Sequence, residues 1–317
     1  MTGSRTDGGP TPVASPPPGA APAVASAADL AAAIERVVLA PAPLLVVADF
    51  DGTLAAGSRD PGVAVIDAVA QRALRHLARI ASDGRGLVVP VVLTGRTVRD
   101  VAERVRVGGL EYLGDHGLQA ARLPRGGRIG ALQVRTEPGF DAHHDPAERL
   151  ARGVTDALRE APWLFVERKG PSVAFHVRQA DDVPAARAAV LTAIAAVEAR
   201  EGLTDHGLAH YRGRSVVDLR PVDAGGKREA VERLLARHAP GSVVVLGDEL
   251  SDVDAFDAVI AARATGGLVG VTVAVHGARA AAPAELLARA DLAVVSPRSV
   301  GMFLRDLATA VQDQARP

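Results

Sequence analysis

Along the chain, short unbroken apolar runs alternate with stretches in which apolar residues recur every three or four positions. The runs at residues 44–48, 87–93 and 242–246 read as strands covered on both faces, the pattern of a parallel sheet. Shorter runs at 110–113, 271–275 and 292–295 read the same way. Helical spacing predicts helices over 28–39, 65–80, 97–105, 227–238, 252–262 and 299–311. Strand–helix alternation of this kind predicts an α/β fold: a doubly wound, mostly parallel sheet with helices on both faces, in the Rossmann-like manner.

The rhythm breaks in the middle. A turn cluster, Pro124-Arg125-Gly126-Gly127, is followed by strand-like segments at 131–135, 164–167, 173–178, 208–211 and 215–219. Two helices, 146–160 and 184–200, lie among them. Strands joined by turns with two helices predict a separate α+β layer, ending near Pro221. The expected organisation is a core from residues 28–123 and 221–317, with a smaller domain inserted at 124–220.

Residues 1–27 are rich in Pro, Ala, Gly and Ser and read as a disordered tail. They lack a basic segment followed by a compact apolar one, and no apolar run is long enough to cross a bilayer, so a cytoplasmic protein without membrane contact is expected. A net charge of −1 argues against a general nucleic-acid binder. No cysteine is present, which excludes disulfides, thiolate catalysis and thiolate-bound metal. Of 36 basic residues only Lys169 and Lys227 are lysine. In a chain so biased towards arginine, the two lysines invite a functional reading.

Candidate chemistry sits at the carboxyl ends of the predicted core strands, where open α/β sheets bind ligands. Asp49-Phe50-Asp51-Gly52-Thr53 follows the first strand. Two carboxylates two residues apart repel unless a cation or a shared proton relieves them, and a hard cation with oxygen ligands suits the pair. Thr94-Gly95-Arg96 follows the second strand and offers a hydroxyl donor beside a glycine. Lys227 follows Gly225-Gly226 and opens a helix, where an ammonium can neutralise a phosphate and a nucleophilic carboxylate. Gly247-Asp248-Glu249-Leu250-Ser251-Asp252 follows the strand at 242–246 and adds further carboxylates.

These four segments, in this order, resemble the four motifs of the haloacid dehalogenase superfamily of phosphatases. The resemblance implies that Asp49 is the nucleophile and that Asp51 is the acid/base. It implies that Thr94 and Lys227 hold phosphoryl oxygens, with Gly95 and Arg96 beside them at the substrate. Mg²⁺ would lie on Asp49, the Asp51 carbonyl and Asp248, with Glu249 and Asp252 behind it. The insertion between the second and third motifs has the position of that superfamily's larger caps. Its Glu167, Lys169, Arg178 and Asp218, with Ser172, His176 and Arg214 nearby, resemble the sugar-binding residues of trehalose-6-phosphate phosphatases, as Asp115-His116-Gly117 resembles a further loop of that family. Departures are visible: Asp218 stands where Glu is usual, Asp115 where Asn is common, Glu249 where Asp is usual and Val253 where Glu is usual. The implied activity is Mg²⁺-dependent hydrolysis of a sugar phosphate, trehalose 6-phosphate first. Another sugar-phosphate or glycosyl-phosphoglycerate phosphatase is the alternative, and a non-catalytic sugar-phosphate sensor a more distant one.

Overall fold

The computed structural model describes residues 23–57, 61–203, 205, 207–213, 215–277 and 281–315. Most of the expected tail and Arg214 therefore lie outside the described residues. The first half of the core runs α1 (Ala27–Leu39), β1 (Leu44–Ala48), α2 (Ala68–Ser82), β2 (Val88–Leu93), α3 (Val98–Val105), β3 (Glu111–Gly114), β4 (Gln119–Arg122) and β5 (Arg135–Thr136). A second unit follows: α4 (His144–Ala157), β6 (Phe165–Arg168), β7 (Val173–His176), α5 (Val183–Glu201), β8 (Leu208–Gly213) and β9 (Val216–Pro221). The core then resumes with α6 (Lys227–His238), β10 (Ser242–Gly247), α7 (Leu250–Ala264), β11 (Val269–Val275), α8 (Ala284–Leu287), β12 (Leu292–Val294) and α9 (Pro297–Gln314).

Among the described residues the strands form two sheets. The large one has the order β12-β11-β10-β1-β2-β3-β4-β5, and the small one β6-β7-β9-β8. From β12 to β3 every neighbour is parallel, while β4 and β5 add an antiparallel edge. Each residue of β1 is buried, and β1 lies between β10 and β2. That is why its sequence is an unbroken apolar run rather than an alternating one. Leu44, Val46 and Ala48 face α1, α2, α3 and α9, while Leu45 and Val47 face α6, α7 and α8. The sheet is thus wound on both faces. In the second unit, Leu150 and Val154 of α4 and Ile194 and Val197 of α5 pack under Phe175 and Leu219 of the small antiparallel sheet. This sheet with its two helices is a cap on the α/β core.

The segment expected as a strand at 131–135 differs. Ile129–Ala131 is a short 3₁₀ turn, Leu132 drops into the core, and only Arg135–Thr136 is extended. That strand pairs with β4 in the large sheet rather than joining the small one. Helix α2 starts three residues later than expected. Asp67 caps it, accepting from the Val69 and Ala70 amides, and Ile66 is held extended in a bridge to Ala55.

Candidate active site

Strand order places the ends of β1, β2 and β10 side by side, and with them the segments carrying Asp49, Thr94 and Asp248. Asp49 is 4% exposed. Its Oδ1 accepts a hydrogen bond of 2.8 Å from Lys227 Nζ. Its Oδ2 is buried without a hydrogen-bond partner among the described residues. Lys227 is fully buried and also donates to Asp252 Oδ1 at 2.7 Å. It occupies the first turn of α6, whose start is fixed by the Glu229 side chain accepting from the Gly226 amide. Burial disfavours the ammonium, but Asp252 and Asp49 outweigh it and hold Lys227 charged, well above its ordinary range.

Oligoanion crowding is the other feature. Asp49, Asp248 and Asp252 bring carboxylate oxygens within 4.8 Å of one another. Burial pushes the Asp49 carboxyl well above the usual range; Lys227 pulls it back, and Asp252 and Glu249 add to the rise. Asp248 is raised likewise, by burial and then by Asp49 and Asp252. A cation is what such a set lacks. Asp252 is the least available to one: its Oδ1 takes Lys227, and its Oδ2 takes the amides of Asp248 and Glu249. Asp49 Oδ2 has no such engagement, and Asp248 spends one oxygen on the Thr53 hydroxyl at 3.0 Å. The donors fit a hard divalent cation held by Asp49 and Asp248, with Asp252 bracing the loop. Glu249 is exposed, and its side chain accepts from Ser251. Gly52 makes the close approach feasible. It sits at φ +90°, and a Cβ there would lie 1.9 Å from Asp248 Oδ2.

Asp51 is clamped. Arg96 donates to both of its oxygens, Nε to Oδ2 at 2.5 Å and a terminal nitrogen to Oδ1 at 2.8 Å. The guanidinium also binds Asp100 at 2.7 Å and lies 5.5 Å from the Phe50 ring centre. Thr94 is buried, and its hydroxyl oxygen accepts from the Arg96 amide at 3.2 Å. Gly95 has no room for a side chain, since a Cβ would sit 2.7 Å from His116 Nε2.

The cap meets this site through buried charge. Lys169, 4% exposed, lies 3.6 Å from Asp115, 3.7 Å from Asp218 and 3.9 Å from Glu167. Burial works against its ammonium, but those three carboxylates outweigh it and raise it. Glu167 accepts from His176 at 2.9 Å; burial favours its neutral form, yet Lys169 and then His176 hold it down at about 2. The Ser172 hydroxyl donates to Asp115, tying cap to core. Gln119 of β4 makes a second tie, accepting from the Val98 amide at 3.0 Å and donating to the Lys169 carbonyl at 2.8 Å.

Arg178 does not join this cluster. It is exposed, beyond the end of β7 opposite to the Lys169 turn. Its place is taken by Arg220, whose Nε lies 3.3 Å from Asp218 and whose guanidinium stacks 3.6 Å above the Tyr211 ring. His116 completes the group, 3.8 Å from Asp218. Burial, with Arg220, Lys169 and Lys227 nearby, holds its imidazole well below its ordinary range and so neutral. Arg220 and Gln119 were not among the expected site residues. The one available signal for Arg220 was its alternation with Asp218 along β9.

Comparison with known proteins decides the family. A trehalose-phosphatase family model matches residues 47–284, three quarters of the chain and all four motifs. The chain belongs to the trehalose-phosphatase family. That family is part of the haloacid dehalogenase superfamily. A trehalose-phosphate phosphatase of Mycobacterium marinum is 34% identical over 225 residues, 67% of this chain and 50% of that protein. An uncharacterized glycosyl hydrolase of Mycobacterium tuberculosis is 36% identical over 276 residues, 84% of this chain and 18% of that protein. The chain thus spans half or less of these relatives. Among solved structures, the C-terminal domain of Candida albicans trehalose-6-phosphate phosphatase superposes with a TM-score of 0.66 at 18% identity. The match covers 88% of this chain and 96% of that one. An Aspergillus fumigatus trehalose-6-phosphate phosphatase gives 0.56 at 21% identity, covering 89% and 97%. At such identities these two likenesses speak for the fold. Among the described residues no helix is long and apolar enough to cross a membrane.

Proposed function

We propose that this trehalose-phosphatase family member hydrolyses trehalose 6-phosphate to trehalose and phosphate, through an aspartyl phosphate on Asp49. The observation that carries the reading is the inequality of the two Asp49 oxygens. One is fixed by Lys227, and the other is buried and unpartnered, in a carboxylate that lies close to Asp248.

In the first step an Asp49 oxygen attacks phosphorus as the bond to the sugar oxygen breaks. Asp51 supplies the proton to that departing oxygen, and in the second step takes one from the water that attacks phosphorus as the bond to Asp49 breaks. Lys227 neutralises charge on Asp49 and on the phosphoryl oxygens, aided by the Thr94 hydroxyl. Asp49, Asp248 and the Asp51 carbonyl would hold Mg²⁺, which when bound supplies positive charge to the phosphoryl group and relieves the carboxylate crowding. Both Asp51 oxygens are engaged by Arg96, so proton donation requires Asp51 to leave that clamp as the sugar oxygen arrives. Glu167, Lys169 and Asp218 supply acceptors and donors for sugar hydroxyls.

Another sugar phosphate or a glycosyl-phosphoglycerate is the second reading. It is favoured by Asp218, already engaged with Lys169 and Arg220, and by Arg178, which lies away from the cluster. A panel of sugar phosphates separates the two. Trehalose 6-phosphate turned over no faster than glucose 6-phosphate would overturn the first reading.

A further inference from the structure

One face of the small sheet extends past the residues assigned to the sugar. Phe165 pairs with His176 and Glu167 with Ala174 across β6 and β7. His176 and Ala174 pair in turn with Val216 and Asp218 of β9. Side chains alternate along strands, so Phe165 and His176 share a face with Glu167 and Asp218. The opposite face, carrying Phe175 and Leu219, is packed on α4 and α5.

A single exposed phenylalanine on a sheet is ordinary. This one differs in its neighbours. Phe165 is 53% exposed, and its ring centre lies 5.5 Å from that of His176, tilted by 40°. The same imidazole is bonded to Glu167 through Nε2 at 2.9 Å. One hydrogen bond therefore fixes the orientation of the ring against which Phe165 rests. We propose that Phe165 and His176 form a stacking platform for the sugar ring that carries no phosphate. The platform deepens the trehalose 6-phosphate reading and rests on it.

A pyranose ring is polar at its rim and covered by C–H groups on its faces. An aromatic platform takes such a face, while neighbouring charged groups take the hydroxyls. Phe165 stands two residues from Glu167, or roughly 7 Å along the strand. That is comparable to the offset between adjoining rings of a disaccharide. The charged end, at Glu167 and Lys169, would meet the phosphorylated ring, and the aromatic end the second one. A monosaccharide phosphate would not reach the platform.

The test compares Phe165→Ala and Phe165→Trp with wild type on trehalose 6-phosphate and glucose 6-phosphate. In Phe165→Ala, kcat/KM for the disaccharide phosphate should fall about tenfold, mainly through KM, which corresponds to about 1.4 kcal/mol. The value for glucose 6-phosphate should stay within about twofold, and Phe165→Trp should restore the disaccharide. Equal losses on both substrates, or none on either, overturn the platform. The wild-type preference tests the substrate reading separately. Should wild type not favour trehalose 6-phosphate, trehalose itself is titrated into the Asp49→Asn protein. Binding is followed by Trp163, the chain's one tryptophan, two residues from Phe165. Weaker trehalose binding after Phe165→Ala supports the platform; unchanged or absent binding overturns it.

Discussion

Lys227 and Asp49 lie 178 residues apart in sequence and form a buried ion pair of 2.8 Å. The ammonium is shared with Asp252, so one cation serves two buried carboxylates. Removing it strands both. Lys227→Met should lower unfolding free energy by about 3–5 kcal/mol, the usual result of breaking a buried pair, and abolish phosphate release. Urea unfolding and a phosphate assay check the two effects; an unchanged midpoint would show that the pair does not stabilise the fold.

Asp49→Asn acts differently. It removes a carboxylate that burial has pushed up and that crowds Asp248. Phosphate release should be lost, while the melting temperature measured without divalent cation should equal or exceed that of wild type. In wild type, Mg²⁺ should raise the melting temperature, by linkage about 2.7 kcal/mol of stability at 100 times Kd. That increment should vanish in Asp49→Asn and in Asp248→Asn. Differential scanning calorimetry with and without Mg²⁺ reads all three proteins.

Gly52→Ala carries a steric prediction. The added Cβ would meet Asp248 Oδ2 at 1.9 Å, at a backbone φ of +90° that alanine seldom adopts. Asp248 must shift, so the Mg²⁺ concentration for half-maximal activity should rise at least about tenfold, equivalent to 1.4 kcal/mol. A Mg²⁺ titration of activity checks it.

Much of the core was legible before any coordinates. The runs at β1, β2 and β10 are continuous because those strands are covered on both faces, and continuity is a local signal. The start of α6 at Lys227 was legible because Gly225-Gly226 precede it. The antiparallel edge was not. Gln119–Arg122 is short and polar, and Arg135–Thr136 is a two-residue strand defined wholly by its partner. The cap cluster was half legible. Glu167, Lys169 and Asp218 came from their resemblance to the sugar-binding residues of trehalose-6-phosphate phosphatases, but the choice of Arg220 over Arg178 depends on which end of β7 faces the core. The bond between Ser172 and Asp115, 57 residues apart, leaves no trace in either segment.

Gln119 joins cap and core through one side chain, bonding the Val98 amide and the Lys169 carbonyl. Gln119→Ala leaves two buried backbone groups unpaired, at about 1–3 kcal/mol for such a group. It should also lower kcat/KM for sugar phosphates more than for p-nitrophenyl phosphate, which does not need the cap's sugar contacts. Paired kinetics on the two substrates, with a urea titration, check this.

Asp115 gives a pH signature. Burial raises its carboxyl to about 6, with Lys169 opposing and Asp218 adding to the rise. The folded state therefore holds this proton more tightly than the unfolded chain, where the value is about 3.9. Its stabilising contribution is full below about pH 4 and is lost as pH rises through about 6. Asp115→Asn carries no such proton, so the variant should gain on wild type between about pH 4 and pH 7. Unfolding free energies across that range test the sign, and a relative loss would mean that Lys169 outweighs burial.

The central claim concerns the reaction and its substrate, and steady-state phosphate release tests it most directly. Trehalose 6-phosphate and glucose 6-phosphate are compared with Mg²⁺ and with the metal chelated. The account predicts kcat/KM for trehalose 6-phosphate at least about 100-fold above that for glucose 6-phosphate, or about 2.7 kcal/mol, and no release without metal. Equal turnover of the two sugars, or full activity under chelation, would contradict it.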